Sequence, residues 1–359
     1  MLSFTADRKL FCSAVARAAA GLPQRPLNPV HAGMLVASSS TERVRMTASD
    51  GYVTFTASCE AVATYPESMI LPGRMLTEIS RYFTGDRVEM RHERKTVTLT
   101  SGKSSFSLSC SNGEDYPSWL KPPHPLGKLN AGEFADAVKS VVTASKRDHP
   151  VQRGMRLAIE DDRLLMTCTD SSRMAFACPR MEIVAADLIP DPVLAPAVIL
   201  ERFARVAEDE VSLGWSSGKV NLIGVSTPGL EVSAPYVQGK LPDSWVMIRD
   251  DYQPQVTLDG AELTQLVKMA ALAAGDKGAV QLDFSDVLTV SAAGDAGYSG
   301  EMETEGALTP VTLEFTPQYL LDGLTGENVT LAFTGRALLM IGDGYRYILQ
   351  PRRKLTGKE

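Results

Sequence analysis

Histidine and cysteine, the side chains behind most metal centres and much nucleophilic chemistry, are scarce in this 359-residue chain. Its four histidines (His31, His92, His124, His149) are scattered, without metal-ligand spacing. Its five cysteines (Cys12, Cys59, Cys110, Cys168, Cys178) are odd in number and contain no C-x-x-C pair. That pattern argues against a disulfide or zinc framework and predicts reduced thiols in a reducing cytosol. Neither G-x-S-x-G nor G-x-G-x-x-G occurs. Ser101-Gly102-Lys103-Ser104 has the tail of a phosphate-binding loop, but Val97 stands where the first glycine belongs, in a hairpin pattern. No apolar run reaches the roughly 18 residues that span a bilayer, so no membrane partner is expected. Residues Met1 to Lys9 carry charge where a secretory leader needs an apolar stretch, which predicts a cytoplasmic protein. No catalytic constellation emerges. The expectation is a binding or scaffolding protein with no enzymatic activity, no cofactor and no metal.

What is present is ordinary for a folded domain: 44% apolar and 22% charged residues. The length exceeds the roughly 250–300 residues at which one core stops growing, so several domains are expected. The net charge is −7, with acidic clusters at Asp161-Asp162, at Glu208-Asp209-Glu210 and at Glu301, Glu303 and Glu305. Net charge does not describe local patches, and the basic residues gather in helix-like segments.

One pattern occurs three times. A helix-like segment runs into a hairpin-like one at Leu71–Phe83 then Arg87–Met90, at Val198–Ala207 then Glu210–Leu213, and at Phe315–Leu324 then Asn328–Leu331. The hairpin valines fall at 88, 211 and 329, spacings of 123 and 118, so the repeat is domain-sized and not a solenoid unit. Each repeat opens with an amphipathic helix. The predicted stripes are Leu10, Ala14, Val15 and Ala18 after Asp7; Phe134, Val138, Val141 and Val142 after Asn130; and Leu263, Leu266, Val267 and Ala270 after Asp259. Val44–Asp50 recurs as Leu164–Asp170, each followed by a turn. Hairpin turns are expected at Ser101-Gly102-Lys103, at 216–219 and at Gly342-Asp343-Gly344. Linkers at Pro122–Pro125 and Arg249–Pro254 set three α+β domains: 1–122, 123–249 and 250–359.

Three α+β units of this size and order resemble the bacterial sliding clamp, the β subunit of the replicative DNA polymerase. The likeness spans essentially the whole chain. Leu22-Pro23-Gln24-Arg25-Pro26, Leu71-Pro72-Gly73-Arg74, Gly102–Ser109, Tyr116-Pro117-Ser118 and Leu241-Pro242-Asp243 each resemble a family segment at the matching position. Thr169–Ala175 resembles the family's Thr-Asp-Gly-His-Arg-Leu-Ala, and Tyr347–Arg353 its closing Tyr-Val-Val-Met-Pro-Met-Arg. The resemblance implies a clamp fold of three repeated domains in a head-to-tail homodimeric ring, helices lining the hole and antiparallel sheets outside. Double-stranded DNA passes through unread, because base contacts would pin a protein that must slide. A clamp loader and a DNA polymerase are the implied partners, through short peptide motifs. The alternative is a clamp-fold interaction module or decoy copy with little DNA function.

By the same resemblance, DNA contact falls to Arg25, Arg74, Lys146, Arg147 and His149, with Arg81, Lys139, Arg202, Arg205 and Lys268 as further basic helix positions. Ala197-Val198 stand where the family carries a basic pair. The partner pocket, at the junction of repeats two and three, comprises Gln152, Thr169, Ser171, Ser172, Arg173, Met174, Pro242, Val246, Met247, Gln350, Pro351, Arg352 and Arg353. Gln152 replaces an apolar residue, Ser172 a histidine, Val246 an arginine and Arg352 a methionine. A more polar pocket of this kind predicts weaker or altered affinity for standard clamp-binding motifs. The dimer interface falls to Lys103, Ser105 and Leu108 on one side and Leu272, Ala273, Glu301 and Glu303 on the other. Ser105 replaces a basic residue.

Overall fold

The computed structural model describes residues 3–38, 40–64, 67–185, 191–216, 221–241, 254–294, 296–304, 310–333 and 337–352. The hairpin turn expected at 216–219 lies mostly outside the described residues, as does most of the linker at 249–254. Six α-helices occur among the described residues: α1 (Arg8–Ala19), α2 (Gly73–Ser80), α3 (Ala131–Val142), α4 (Ala197–Ala204), α5 (Gly260–Ala274) and α6 (Pro317–Gly323). They alternate long and short, and every strand pairing between them is antiparallel, which makes the fold α+β.

The three long helices start in the same way. A short strand leads in, and its last residue caps the helix. Asp7 Oδ1 accepts from the N–H groups of Lys9 and Leu10, Asn130 Oδ1 from Gly132 and Glu133, and Asp259 Oδ1 from Glu262. Each capping residue is also the strand partner of the first residue in the repeat's hairpin: Asp7 with Arg87, Asn130 with Glu210, Asp259 with Asn328. The first helical N–H then donates to the carbonyl just before that hairpin, Arg8 to Asp86 at 2.9 Å, Ala131 to Asp209 at 3.0 Å and Gly260 to Glu327 at 2.7 Å. One otherwise orphaned helix-start donor is thereby satisfied in all three repeats.

The helix stripes hold with one correction. Leu10 is 49% exposed, and Phe11 takes the lead of the α1 stripe with Ala14, Val15 and Ala18. Position 11 is the one that lies three and four residues before Ala14 and Val15, so it shares their face. Phe11 then packs between Phe4 and Phe83, with ring centroids 5.8 and 6.4 Å away. In the second repeat Phe134 of α3 meets Phe203 of α4 edge-on at 5.9 Å.

Contacts divide the chain into two compact units. One comprises Met1–Ala135, Met181–Asp191 and Ile199–Tyr236; the other comprises Asp136–Arg180, Pro192–Val198 and Val237–Glu359. In the first, the strand Leu230–Pro235 pairs with Thr54–Ala63 and joins the first repeat to half of the second in one 14-stranded sheet. Across that sheet Gly214 faces Gly224, and the chain from Pro122 to Pro125 lies over the pair. A Cβ at Gly214 would come 2.2 Å from the His124 carbonyl oxygen, and one at Gly224 2.5 Å from Pro122 Cβ. In the second unit, the strand Arg173–Ala177 pairs with Tyr345–Leu349, building an eight-stranded sheet beside a separate four-stranded one. The five cysteines are all free, Cys59 and Cys168 among them buried.

Candidate functional site

The pocket residues predicted from sequence gather around the turn that follows the strand Arg163–Thr169 in the second unit. Asp170 organises it: Oδ1 accepts from the N–H groups of Ser172 and Arg173 at 3.0 and 3.1 Å, and Oδ2 accepts from Arg173 Nε at 2.9 Å. Thr169 Oγ1 donates to the Arg173 carbonyl at 2.8 Å and accepts from the Ser171 N–H at 3.2 Å. Gln152 reaches across to donate from Nε2 to Ser171 Oγ at 2.5 Å. The Gln350 N–H donates to the Ser172 carbonyl at 3.0 Å, tying in the last strand. Beside this polar rim Met174 belongs to an apolar cluster with Phe176, Ala332, Leu339 and Ile348. An apolar floor with a few placed polar groups is the make-up of a ligand site.

Arg173 plays a different part from its neighbours. Its side chain is only 9% exposed. Besides Asp170 it binds Asp322 of α6, the Tyr347 hydroxyl at 3.1 Å and the Thr143 carbonyl at 2.6 Å, and its guanidinium carbon lies 4.1 Å from the centre of the Tyr319 ring. Burial opposes the charge, but Tyr347, Asp322 and Asp170 overcome it and hold the guanidinium protonated more firmly than usual. Burial likewise raises the Tyr347 phenol well above its ordinary range. Arg173 thus fastens the turn to α6 and to the end of α3 and offers little surface to a ligand. Asp170 was visible in sequence as a strand end, three residues before Arg173. Asp322, Tyr319 and Thr143 gave no signal, because they come together only in the fold.

Arg352 turns away from the turn. Its N–H donates to the Glu314 carbonyl at 2.7 Å, and Nη1 donates to the carbonyls of Lys277 and Gly278, just beyond α5. Pro351, half-buried, connects it to Gln350. Pro242, Val246, Met247 and Arg353 lie outside the described residues.

The basic positions lie on exposed segments. Arg74 Nη2 donates to the carbonyls of Pro23 and Gln24, stapling the loop that carries exposed Arg25. Lys146 and Arg147 are exposed in the turn after α3, and the Lys146 N–H donates to the Gln152 carbonyl at 2.9 Å. His149 Nδ1 accepts from the N–H groups of Val151 and Gln152 at 3.2 and 3.1 Å, which fixes the tautomer with hydrogen on Nε2. Of the further helix positions, Arg81 pairs with Glu78 at 3.0 Å and Arg205 with Glu201 at 2.5 Å, so each carries its own counter-charge.

The residues expected at an interface flank two sheet edges. Ser104–Ser109 ends the 14-stranded sheet, and among the described strands Thr96–Ser101 is its ladder partner. Ser105 is exposed and Leu108 faces inward, 8% exposed, while Lys103 is exposed in the preceding turn. Gly297–Met302 ends the four-stranded sheet and carries exposed Glu301, with exposed Glu303 just beyond it. On α5, Leu272 is 83% exposed and Ala273 is buried. No helix among the described residues is long and apolar enough to cross a membrane.

Known proteins match this chain along its length. Residues 2–120 match the family model of the DNA polymerase III beta subunit, N-terminal domain. The beta sliding clamp of Streptomyces coelicolor is 28% identical over 373 residues, covering 97% of this chain and 98% of that protein. A beta sliding clamp homolog, GriR, of Streptomyces muensis is 25% identical and covers 98% of this chain and 99% of its own. In fold, the Bacillus subtilis DNA polymerase sliding clamp superposes with a TM-score of 0.86 at 19% identity, covering 98% of this chain and 99% of that one. With a helix-cap register repeated three times and sheets continuous between repeats, the chain has the fold of a DNA polymerase sliding clamp; its residues 2–120 match the N-terminal domain of the DNA polymerase III beta subunit, and it is similar along its length to curated beta sliding clamps.

Proposed function

We propose that the chain forms a homodimeric ring of three clamp domains per copy (1–122, 123–249 and 250–359), which encircles duplex DNA without reading its sequence and tethers a DNA polymerase. It catalyses nothing, works in the cytoplasm and is placed on DNA by an ATP-driven loader. Two of the terminal strands, Ser104–Ser109 and Gly297–Met302, are the observation that carries this. An open sheet edge invites another strand, and two different edges on one chain are closed together when two copies pair head to tail. Lys103 beside one edge and Glu301 and Glu303 beside the other are complementary, while Leu272 offers exposed apolar surface. Exposed ion pairs contribute only about 0.2–1 kcal/mol, so the backbone ladder and apolar contacts must supply most of the association.

In this ring Arg25, Arg74, Lys146 and Arg147 face phosphates, and His149 donates through its Nε2–H. The Ser171 turn and the apolar cluster around Met174 take short peptide motifs from the polymerase and the loader. Gln152 supports the expectation that this pocket treats standard clamp-binding motifs differently, since it puts an amide where the family has an apolar side chain.

Sedimentation equilibrium across a dilution series from micromolar to nanomolar tests the ring. A stable species near twice 38.8 kDa is expected. Lys103→Glu should weaken it, and adding Glu301→Lys should restore it, by up to about 5-fold in dissociation constant. A monomer at every concentration would sink the autonomous ring and favour the decoy copy.

A further inference from the structure

Two turns, 120 residues apart, are built from the same bonds. In Ser49-Asp50-Gly51, Ser49 Oγ accepts from the Gly51 N–H at 3.1 Å, and Asp50 Oδ1 accepts from the N–H groups of Tyr52 and Val53 at 2.9 and 2.8 Å. In Thr169-Asp170-Ser171, Thr169 and Asp170 make the same three bonds to residues 171, 172 and 173. Both turns hold their third residue in the left-handed region, φ +94° at Gly51 and +77° at Ser171. Glycine takes that conformation freely; serine is strained by it.

The residue packed against each turn differs as well. Two positions before the strand that opens at Gly33, buried His31 covers Gly51, so that a Cβ added there would lie 3.3 Å from Nε2. Two positions before the strand that opens at Gly154, Gln152 fills the corresponding place and hydrogen-bonds Ser171 Oγ. The first slot is sealed. The second is less covered, with Ser171 exposed and Gln152 half-buried.

We infer that Gln152 and Ser171 form a matched polar gate on the apolar floor around Met174, and that the protein segment admitted there sets a hydroxyl or carboxamide side chain, not an aliphatic one, against it. This rests on the peptide-pocket reading given above. The Thr169 hydroxyl is committed as both donor and acceptor, and Asp170 is committed to the turn and to Arg173. Gln152 keeps its Oε1 and a second amide hydrogen, and Ser171 keeps its own hydrogen. An aliphatic side chain pressed onto these groups strips their water and returns nothing, whereas a hydroxyl or carboxamide supplies a donor and an acceptor. The gate also accounts for the strained serine: glycine would relax the backbone and leave the Gln152 amide without its acceptor.

The test uses the full-length chain and fluorescein-labelled hexapeptides in pairs. Members of a pair contain a Leu-Phe anchor and differ only by Leu or Gln at one position, which is moved along the peptide. Fluorescence anisotropy compares the wild type with the Gln152→Leu/Ser171→Gly double variant. At the position facing the gate, the wild type should prefer Gln by roughly 5- to 150-fold, and the double variant should lose or reverse that preference. Gln152→Leu leaves the backbone bonds of residue 152 to Lys146 and His149 in place, and Ser171→Gly relieves strain, so an unchanged melting temperature establishes that the fold is intact. The same preference in both proteins at every position overturns the gate and leaves the pocket standing. Binding of no peptide by either protein overturns the pocket, and the gate with it.

Discussion

Burial raises the Cys59 thiol from the ordinary 9.0 to about 12, and the Tyr116 phenol from 10.0 to about 12. Both groups are neutral in the fold and ionise more readily in the unfolded chain. Their contribution is therefore complete below pH 9 and is lost as the pH rises from 9 to about 12. Urea midpoints stepped through that window should fall steadily, and Cys59→Ala should flatten the fall while lowering the midpoint at neutral pH through the small cavity it leaves. An alkaline slope identical in the variant would remove Cys59 from the account. Individual residues were unevenly legible in the sequence. Asp7, Asn130 and Asp259 were readable as helix caps because capping is a local bond within three residues. The commitment of Arg173 to Asp322 was not, since 149 residues separate them and only sheet pairing brings them together.

At the scale of elements, the enclosure of Arg173 joins a turn, α6, the end of α3 and a last strand, and its energetics follow from desolvation. Removing one partner of a buried, hydrogen-bonded charge leaves the other uncompensated, which costs about 3–5 kcal/mol. Asp322→Asn should accordingly destabilise the second unit by an amount of that order, read by chemical denaturation, whereas a loss below about 1 kcal/mol would mean the guanidinium re-pairs with water. Arg173→Lys should not rescue the site, because one ammonium cannot bond Asp170, Asp322 and Thr143 at once. A second element-scale device is the Gly214–Gly224 pair beneath Pro122–Pro125. Gly224→Ala would drive a Cβ into Pro122 and should cost roughly 1–3 kcal/mol, seen as a lowered urea midpoint with displacement of the linker. The period of the apolar residues made the long helices readable, and the alternating β-branched runs made the hairpins readable. That the linker is packed onto a sheet was hidden, because proline and glycine mark a turn without saying what lies over it.

At the scale of the molecule, the charge is the informative quantity. A chain of net charge −7 has little general attraction for DNA, and two of its helix arginines, Arg81 and Arg205, are already paired with glutamates. Each phosphate neutralised contributes a salt-dependent increment to affinity, so a protein that meets DNA through a small number of basic groups binds linear DNA weakly and loses it readily as salt rises. A closed ring needs no such affinity, since a circle threaded through it cannot leave without the ring opening. If the proposed ring is correct, protein loaded on nicked circular duplex should stay bound through gel filtration while salt is raised from about 50 to 200 mM, and cutting the circle once should release it. Lys146→Ala with Arg147→Ala should quicken sliding off the cut DNA and leave retention on the circle unchanged. Release from the intact circle at the rate seen for linear DNA would show that chain charge, not closure, holds the complex. It would also replace the proposed tether on DNA with a protein that acts through its proposed partner pocket alone.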